Sequence, residues 1–335
     1  MAKIVLGIGT SHGPMMLMEP EDWNTRVAAD KAQSHVYRGA SYTFKELVKL
    51  KRDQDIGEQL NIEVQRKKLR ACHSALDCLV EAYNRVRPDV AVIVGNDQME
   101  VFTKENMPCI AVYSGEDVVN IPAGPEQLAK MPPGIPKAAP GYWGDEGARW
   151  PGQADLGQHI IERMMVEGFD VTQMSTMPQV SDWMSGVPHA FGFVYQKIMQ
   201  RNVIPNVPVI LNTFYPSNQP STERVYDFGL ALRRAIESWE KNLRVVIIAS
   251  GGLSHFVVDE EFDRSILDAM QNNSRDELLR WPESFFQSGS SETKNWLPVA
   301  AAMGDVGLRM NLVDYVPCYR SLAGTGNAMA FAVWG

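Results

Sequence analysis

Cysteine is scarce. Cys72, Cys78, Cys109 and Cys318 are the only four in 335 residues, and no two stand in C-x-x-C spacing. Two of them lie inside apolar patterns, so reduced core thiols of a cytoplasmic protein are expected rather than a disulfide frame. Histidine is nearly as rare, with six residues, and each can be weighed by its place in the chain. Positive charge is in deficit: 32 Lys and Arg stand against 40 Asp and Glu, a formal net charge of −8. Nucleic-acid binding needs a basic face and is not expected; an anionic substrate would need a local basic pocket. No apolar run reaches membrane-spanning length, and MAKIVLGIGTSHG is too polar after position 8 to read as a secretory signal. The easily recognised cofactor motifs are missing as well. The glycines at 324 and 326 lack G-x-G-x-x-G spacing and a following helix, and there is no P-loop, no G-x-S-x-G elbow and no internal repeat.

What is present is strand and helix in alternation. Apolar, β-branched runs at 3–8, 89–94, 110–113, 169–174, 207–212 and 245–249 read as strands, and the end of the chain as a last strand closing the sheet. Near-continuous apolar runs of this kind fit strands covered on both faces. Apolar residues at helical spacing mark 58–86, 156–165, 222–239 and 291–303. The expected fold class is α/β, a three-layer α/β/α sandwich around a central mixed, largely parallel sheet. Residues 1–335 are read as one domain with cap insertions at about 19–57 and 131–152, the latter rich in Pro and Gly but carrying Tyr142, Trp143 and Trp150.

The strongest signal is SGGLSHFVVDEEFD, residues 250–263. It follows an apolar strand, turns on two glycines and opens a helix at Asp259, a good capping residue. His255, Glu260 and Glu261 thus sit where a strand hands over to a helix, a frequent place for chemistry in α/β folds. An ordinary solvated helix start would look the same locally. His12 follows the first strand in a rigid Gly/Pro loop, Asn96-Asp97-Gln98 follows the second apolar strand, and Pro188-His189 opens a short helix. His73 and His159 read as ordinary helix residues. Imidazole and carboxylate with open positions suit a non-haem Fe(II) oxygenase. Zinc hydrolases use similar groups with one open position, and spacing alone separates neither from a structural site.

Several ordered motifs carry a resemblance: GIGTSHGPMM (7–16), PDVAVIVGNDQ (88–98), GVPHAFGFVY (186–195), SGGLSHFVVDEEFD (250–263), SSETKNWLPVAAAM (290–303) and YRSLAGTGNAMAF (319–331). The chain resembles the LigB-type (class III) extradiol dioxygenase superfamily, nearest to enzymes opening methylgallate and lignin-derived biphenyl catechols. The resemblance implies Fe(II), with His12 as a ligand and Glu261 as the carboxylate ligand, Glu260 being the alternative. It implies that His189 is the acid–base histidine and that His255 is the histidine of the GG-x-SH turn, a further catalytic residue. The family's second ligand histidine is replaced by Gln98. The third ligand is then Gln98 itself through its amide oxygen, or His35 from the cap, unless the site has lost iron. The activity implied is opening of a methoxylated, carboxylated catechol, such as 3-O-methylgallate or a hydroxylated dicarboxybiphenyl, with O2. Arg38 and Arg320 are candidates for the substrate carboxylate and Thr213 for a further substrate contact, with cap aromatics (Tyr37, Tyr42, Phe44, Trp143, Trp150) as an apolar wall. The competing readings are a zinc-dependent hydrolase and a non-catalytic binding relative on the same scaffold. The expected partners are a small aromatic catechol and O2, with neither nucleic acid nor membrane, and a homodimer is the preferred assembly.

Overall fold

The computed structural model describes residues 1–177, 186–304 and 306–335. Its strands are β1 (Lys3–Thr10), β2 (Ser34–Tyr37), β3 (Ala40–Thr43), β4 (Val90–Asn96), β5 (Ile110–Tyr113), β6 (Asp117–Asn120) and β7 (Ala148–Pro151). They continue as β8 (Thr172–Met174), β9 (Asn206–Leu211), β10 (Arg244–Ser250), β11 (His255–Val257), β12 (Met310–Tyr319) and β13 (Thr325–Trp334). Nine of these form one sheet in the order β11-β13-β1-β10-β4-β9-β5-β8, with β12 on the other edge of β13.

The middle of the sheet, β1-β10-β4-β9, is parallel throughout. Its sequences show why: VAVIVGN of β4 is buried at every position, as a strand covered on both faces must be. Antiparallel pairs flank this block, β13 against β1 on one side and β5 against β9 on the other. The expected mixed α/β sandwich is the observed one. The last strand does not close an edge, however. β13 lies inside the sheet, with β1 and β11 along one side and β12 along the other.

Two apolar layers cover the sheet. On one face, helices Thr222–Ser238 and Trp296–Gly304 pack through Val225, Leu232, Ala235, Leu297 and Ala301. On the other, helix Ile62–Val86 buries Leu69, Cys72, Leu76, Leu79 and Tyr83, spaced three or four apart on one face. Asn61 starts that helix by accepting the Glu63 N–H, and Arg87 ends it in a left-handed conformation at φ 50°. The segment read as an early cap holds 3-10 turns, the β2–β3 hairpin and short helices, while the 131–152 excursion forms helix Ile135–Trp143 and strand β7. Because the four central strands run parallel, residues 11–13, 97–98, 212–213 and 251–252 leave the sheet at one end. Among the described residues, no helix is long and apolar enough to cross a membrane.

Candidate metal centre

His12 leaves β1 into the space between helix His189–Phe193 and the 288–295 turn, and it is 3% exposed. Its hydrogen bonds fix its tautomer. Ser250 Oγ gives its proton to the Ala190 carbonyl at 2.7 Å, so it accepts from His12 Nδ1–H at 3.0 Å. Nε2 therefore carries a lone pair. It stands 3.2 Å from Glu292 Oε2 and has no hydrogen-bond partner among the described residues. Burial lowers the affinity of His12 for a second proton, outweighing the pull of Glu292. A lone pair facing a carboxylate is repulsive unless a cation lies between them, and a bound metal ion would relieve it.

Glu292 is supplied by the 3-10 turn Ser288–Asn295, a run of polar side chains packed inside the protein ahead of the apolar helix Trp296–Gly304. The Gly252 N–H donates to its Oε2 at 2.8 Å, and Asn96 Nδ2 to its Oε1 at 3.2 Å. Asn96 is itself oriented by Asn295, which donates to its carbonyl oxygen at 2.8 Å and to the Ser250 carbonyl at 3.0 Å. The close approach explains the glycine: a Cβ on Gly252 would lie 2.8 Å from the His255 ring and 3.4 Å from Glu292 Oε2. Burial alone would raise the Glu292 carboxyl, but the neighbouring imidazoles, His255 foremost, hold it well below the usual carboxylate range.

Two more imidazoles face this pair. His189 lies edge-on to His12, with ring centroids 4.6 Å apart, and Tyr142 lies edge-on to it at 5.5 Å. Its Nδ1 is 2.9 Å from both oxygens of buried Glu100, and its backbone N–H donates to the same carboxylate at 3.1 Å. Burial lowers the His189 pKa, and Glu100 more than reverses this, so the net shift is upward. His255 donates Nδ1–H to the Leu253 carbonyl at 2.8 Å and points Nε2 at Glu292 Oε1, 3.6 Å away. Burial lowers its pKa too, and Glu292 again makes the net shift upward. One ligand atom each from His12, His189 and Glu292 lie within 4.8 Å of one another, so the three could hold a metal ion.

The remaining expected site residues are placed as follows. Glu261, the expected carboxylate ligand, lies outside the cluster, and the carboxylate beside His12 is that of Glu292. The Glu261 side chain is 72% exposed at the start of helix Glu260–Gln271 and is paired with Arg38. Glu260 accepts from the Tyr319 hydroxyl at 2.8 Å. Arg38 is not free for a substrate, since Asp259 takes two of its nitrogens at 2.6 and 2.7 Å and Glu261 shares one. Arg320 is buried in a forked pair with Asp30, at 2.7 and 3.0 Å. Removing one partner of such a pair costs roughly 3–5 kcal/mol, which marks Arg320 as structural. His35 sits in the β2–β3 hairpin with Nε2 2.9 Å from the Asp30 carbonyl, and it is not part of the cluster. Gln98 does reach the site, as a donor to Glu292 Oε1 at 3.4 Å. Thr213 is buried, with a hydroxyl that has no partner among the described residues. Of the expected aromatic wall, Tyr37, Tyr42 and Phe44 pack around Leu47, and Trp143 donates to the Val187 carbonyl. Tyr142 takes the wall's place, its hydroxyl on the His12 carbonyl at 2.8 Å.

Sequence reasoning missed Glu292 and Glu100. The available signal for Glu292 was SSETKN, a polar run directly before a wholly apolar helix, where helix packing draws the polar turn inward.

The fold and the site together define an α/β protein with an imidazole–carboxylate cluster, able to hold a metal ion, at the ends of its parallel strands. The chain belongs to the LigB family, described as the catalytic LigB subunit of aromatic ring-opening dioxygenase, which it matches over residues 67–330. A gallate dioxygenase from Pseudomonas putida (strain KT2440) is 30% identical over 133 residues, which is 36% of this chain and 36% of that relative's length. A crystal structure of uncharacterized protein JW3007 from Escherichia coli K12 superposes with a TM-score of 0.46 at 15% identity, covering 78% of this chain and 92% of that one.

Proposed function

We propose that this protein is a non-haem Fe(II) extradiol dioxygenase that opens a catechol ring with O2. The observation that carries the reading is the bare Nε2 of His12 facing the Glu292 carboxylate at 3.2 Å. Two imidazoles and one carboxylate with open positions are the donor set that non-haem Fe(II) oxygenases use. Bound iron would supply a seat for both catechol oxygens and O2 and a route for electrons between them. The protein supplies the rest. Ser250 and the Ala190 carbonyl hold the His12 tautomer, and Gly252 and Asn96 hold the carboxylate. Tyr142 and Phe193, whose rings stand 5.5 Å from His189 and 6.3 Å from His12, give a planar ring an apolar surface and exclude water. A catechol hydroxyl must lose a proton on binding, and His255, which flanks the cluster beside Glu292, is the group able to receive it.

The test is anaerobic loading with Fe(II), then addition of 3-O-methylgallate, gallate, protocatechuate or a dihydroxybiphenyl acid and air. The expected result is O2 uptake matched to catechol loss, with a yellow ring-opened product. Turnover that persists without O2 and follows bound zinc would replace this reading with the hydrolytic one. A folded protein that takes up no divalent metal would leave a binding relative.

A further inference from the structure

We propose that His189, aimed by Glu100, is the third donor of the metal centre, and that Gln98 is a hydrogen-bond donor to Glu292 rather than a ligand. The inference rests on the metal-enzyme reading above and specifies its ligand set.

The amide of Gln98 is held from both ends. Its Nε2 donates to Glu292 Oε1 at 3.4 Å, and its Oε1 accepts from the Tyr215 hydroxyl at 3.3 Å. Turning the amide over would set its carbonyl oxygen against the carboxylate, so the network fixes the nitrogen end toward the cluster. An amide nitrogen has no lone pair to give a metal.

His189 has what Gln98 lacks. With Nδ1–H given to Glu100, a lone pair is left on Nε2. A histidine that ligates a metal typically hands its other N–H to a carboxylate in this way, which fixes the ring and raises its basicity. The carboxylate is itself delivered with care. Asp97 accepts the backbone N–H groups of Glu100, Val101 and Phe102 at 2.9, 3.0 and 3.2 Å, winding the turn after β4 so that buried Glu100 meets the start of helix His189–Phe193. The same turn that places Gln98 two residues earlier thus serves the metal through Glu100 and His189. Donors each ~2.1 Å from one ion stand ~3 Å apart in adjacent positions, close to the 3.2 Å between His12 and Glu292. His255, outside the three-residue group, is left as the proton-handling histidine.

Cobalt(II) titration of the full-length protein reads the ligand set directly, through affinity and visible ligand-field bands. Wild type is expected to bind one ion per chain. His189→Ala should weaken binding at least tenfold and change the bands, and added imidazole should restore both, which an unfolded variant could not show. Glu100→Gln should weaken binding roughly tenfold with the bands kept, as expected for a positioning residue. Gln98→Ala should keep the wild-type bands even where affinity falls. Unchanged bands in His189→Ala together with changed bands in Gln98→Ala would overturn the proposal. Wild type that binds no divalent ion would instead bring down the function reading on which it rests.

Discussion

Two groups of carboxylates have opposite fates in this protein. The group at 259–263 is dense and conspicuous, and its members serve the fold. Asp259 caps the helix and holds Arg38, Asp263 is buried under the Ser254 and Tyr315 hydroxyls, and Glu261 stands in solvent. Glu292 and Glu100 are isolated in sequence and buried, and each faces an imidazole. A run of like charges lowers its own energy by staying wet or capping a helix, whereas a single carboxylate inside a packed turn must be answered by specific partners. Charge density is therefore a poor guide to chemistry, and solitary acidic residues beside apolar helices are a better one.

The contrast is sharpest on metal binding. Glu292→Ala should lower affinity for a divalent ion by at least about a hundredfold and abolish O2 uptake, while Glu261→Ala leaves both within about twofold. Metal content after gel filtration and an oxygen electrode check it; equal losses in the two variants would erase the distinction drawn here.

Stability should show the reverse order. Burial pushes the Asp263 carboxyl up to about 7, against the hydrogen bonds from Ser254 and Tyr315. A carboxyl raised in the folded state binds its proton more tightly there than in the unfolded chain. Its stabilisation is full below the unfolded value and is lost as pH rises through the folded one, so stability declines from about pH 4 to about pH 7. Asp263→Asn, which cannot ionise, should flatten a decline on the order of 1–3 kcal/mol in urea midpoints across that window. A slope unchanged from wild type would mean that Asp263 is not its source. The smallest effect is expected at Arg38. Its pairs with Asp259 and Glu261 are partly exposed, so Arg38→Ala should cost about 1 kcal/mol or less in thermal unfolding, and less still in high salt.

Much of the fold was legible because it is written in runs. β4 and β10 are unbroken Val/Ile stretches between turn residues, and helix Ile62–Val86 carries a clean apolar stripe. β12 was harder to read, since MNLVDYVPCY mixes polar residues with a proline that cannot donate to a ladder. Its place answers the difficulty: among the described residues β12 pairs with β13 alone, and an edge strand tolerates a missing N–H. The histidines of the site were legible because His12 is followed by Gly13-Pro14 and His189 is preceded by Pro188, each at an element end. The carboxylates were not. Glu292 reaches His12 across 280 positions of sequence, a pairing set by sheet order and helix packing that no local pattern encodes.

The interior position of β13 has a consequence for how the molecule comes into being. β1, the strand that carries His12, gains its second neighbour only from residues 331–334, and β11, which begins with His255, pairs with residues 325–327. A chain emerging from the ribosome N-terminus first can stack β1, β10, β4 and β9, yet must hold one side of β1 unpaired until residues 331–334 appear. The β1–β13 pairing spans over 300 residues, the kind of long-range contact that slows folding and leaves a strand edge open to wrong partners meanwhile. The cluster around His12 is therefore completed only after the parallel core has been made.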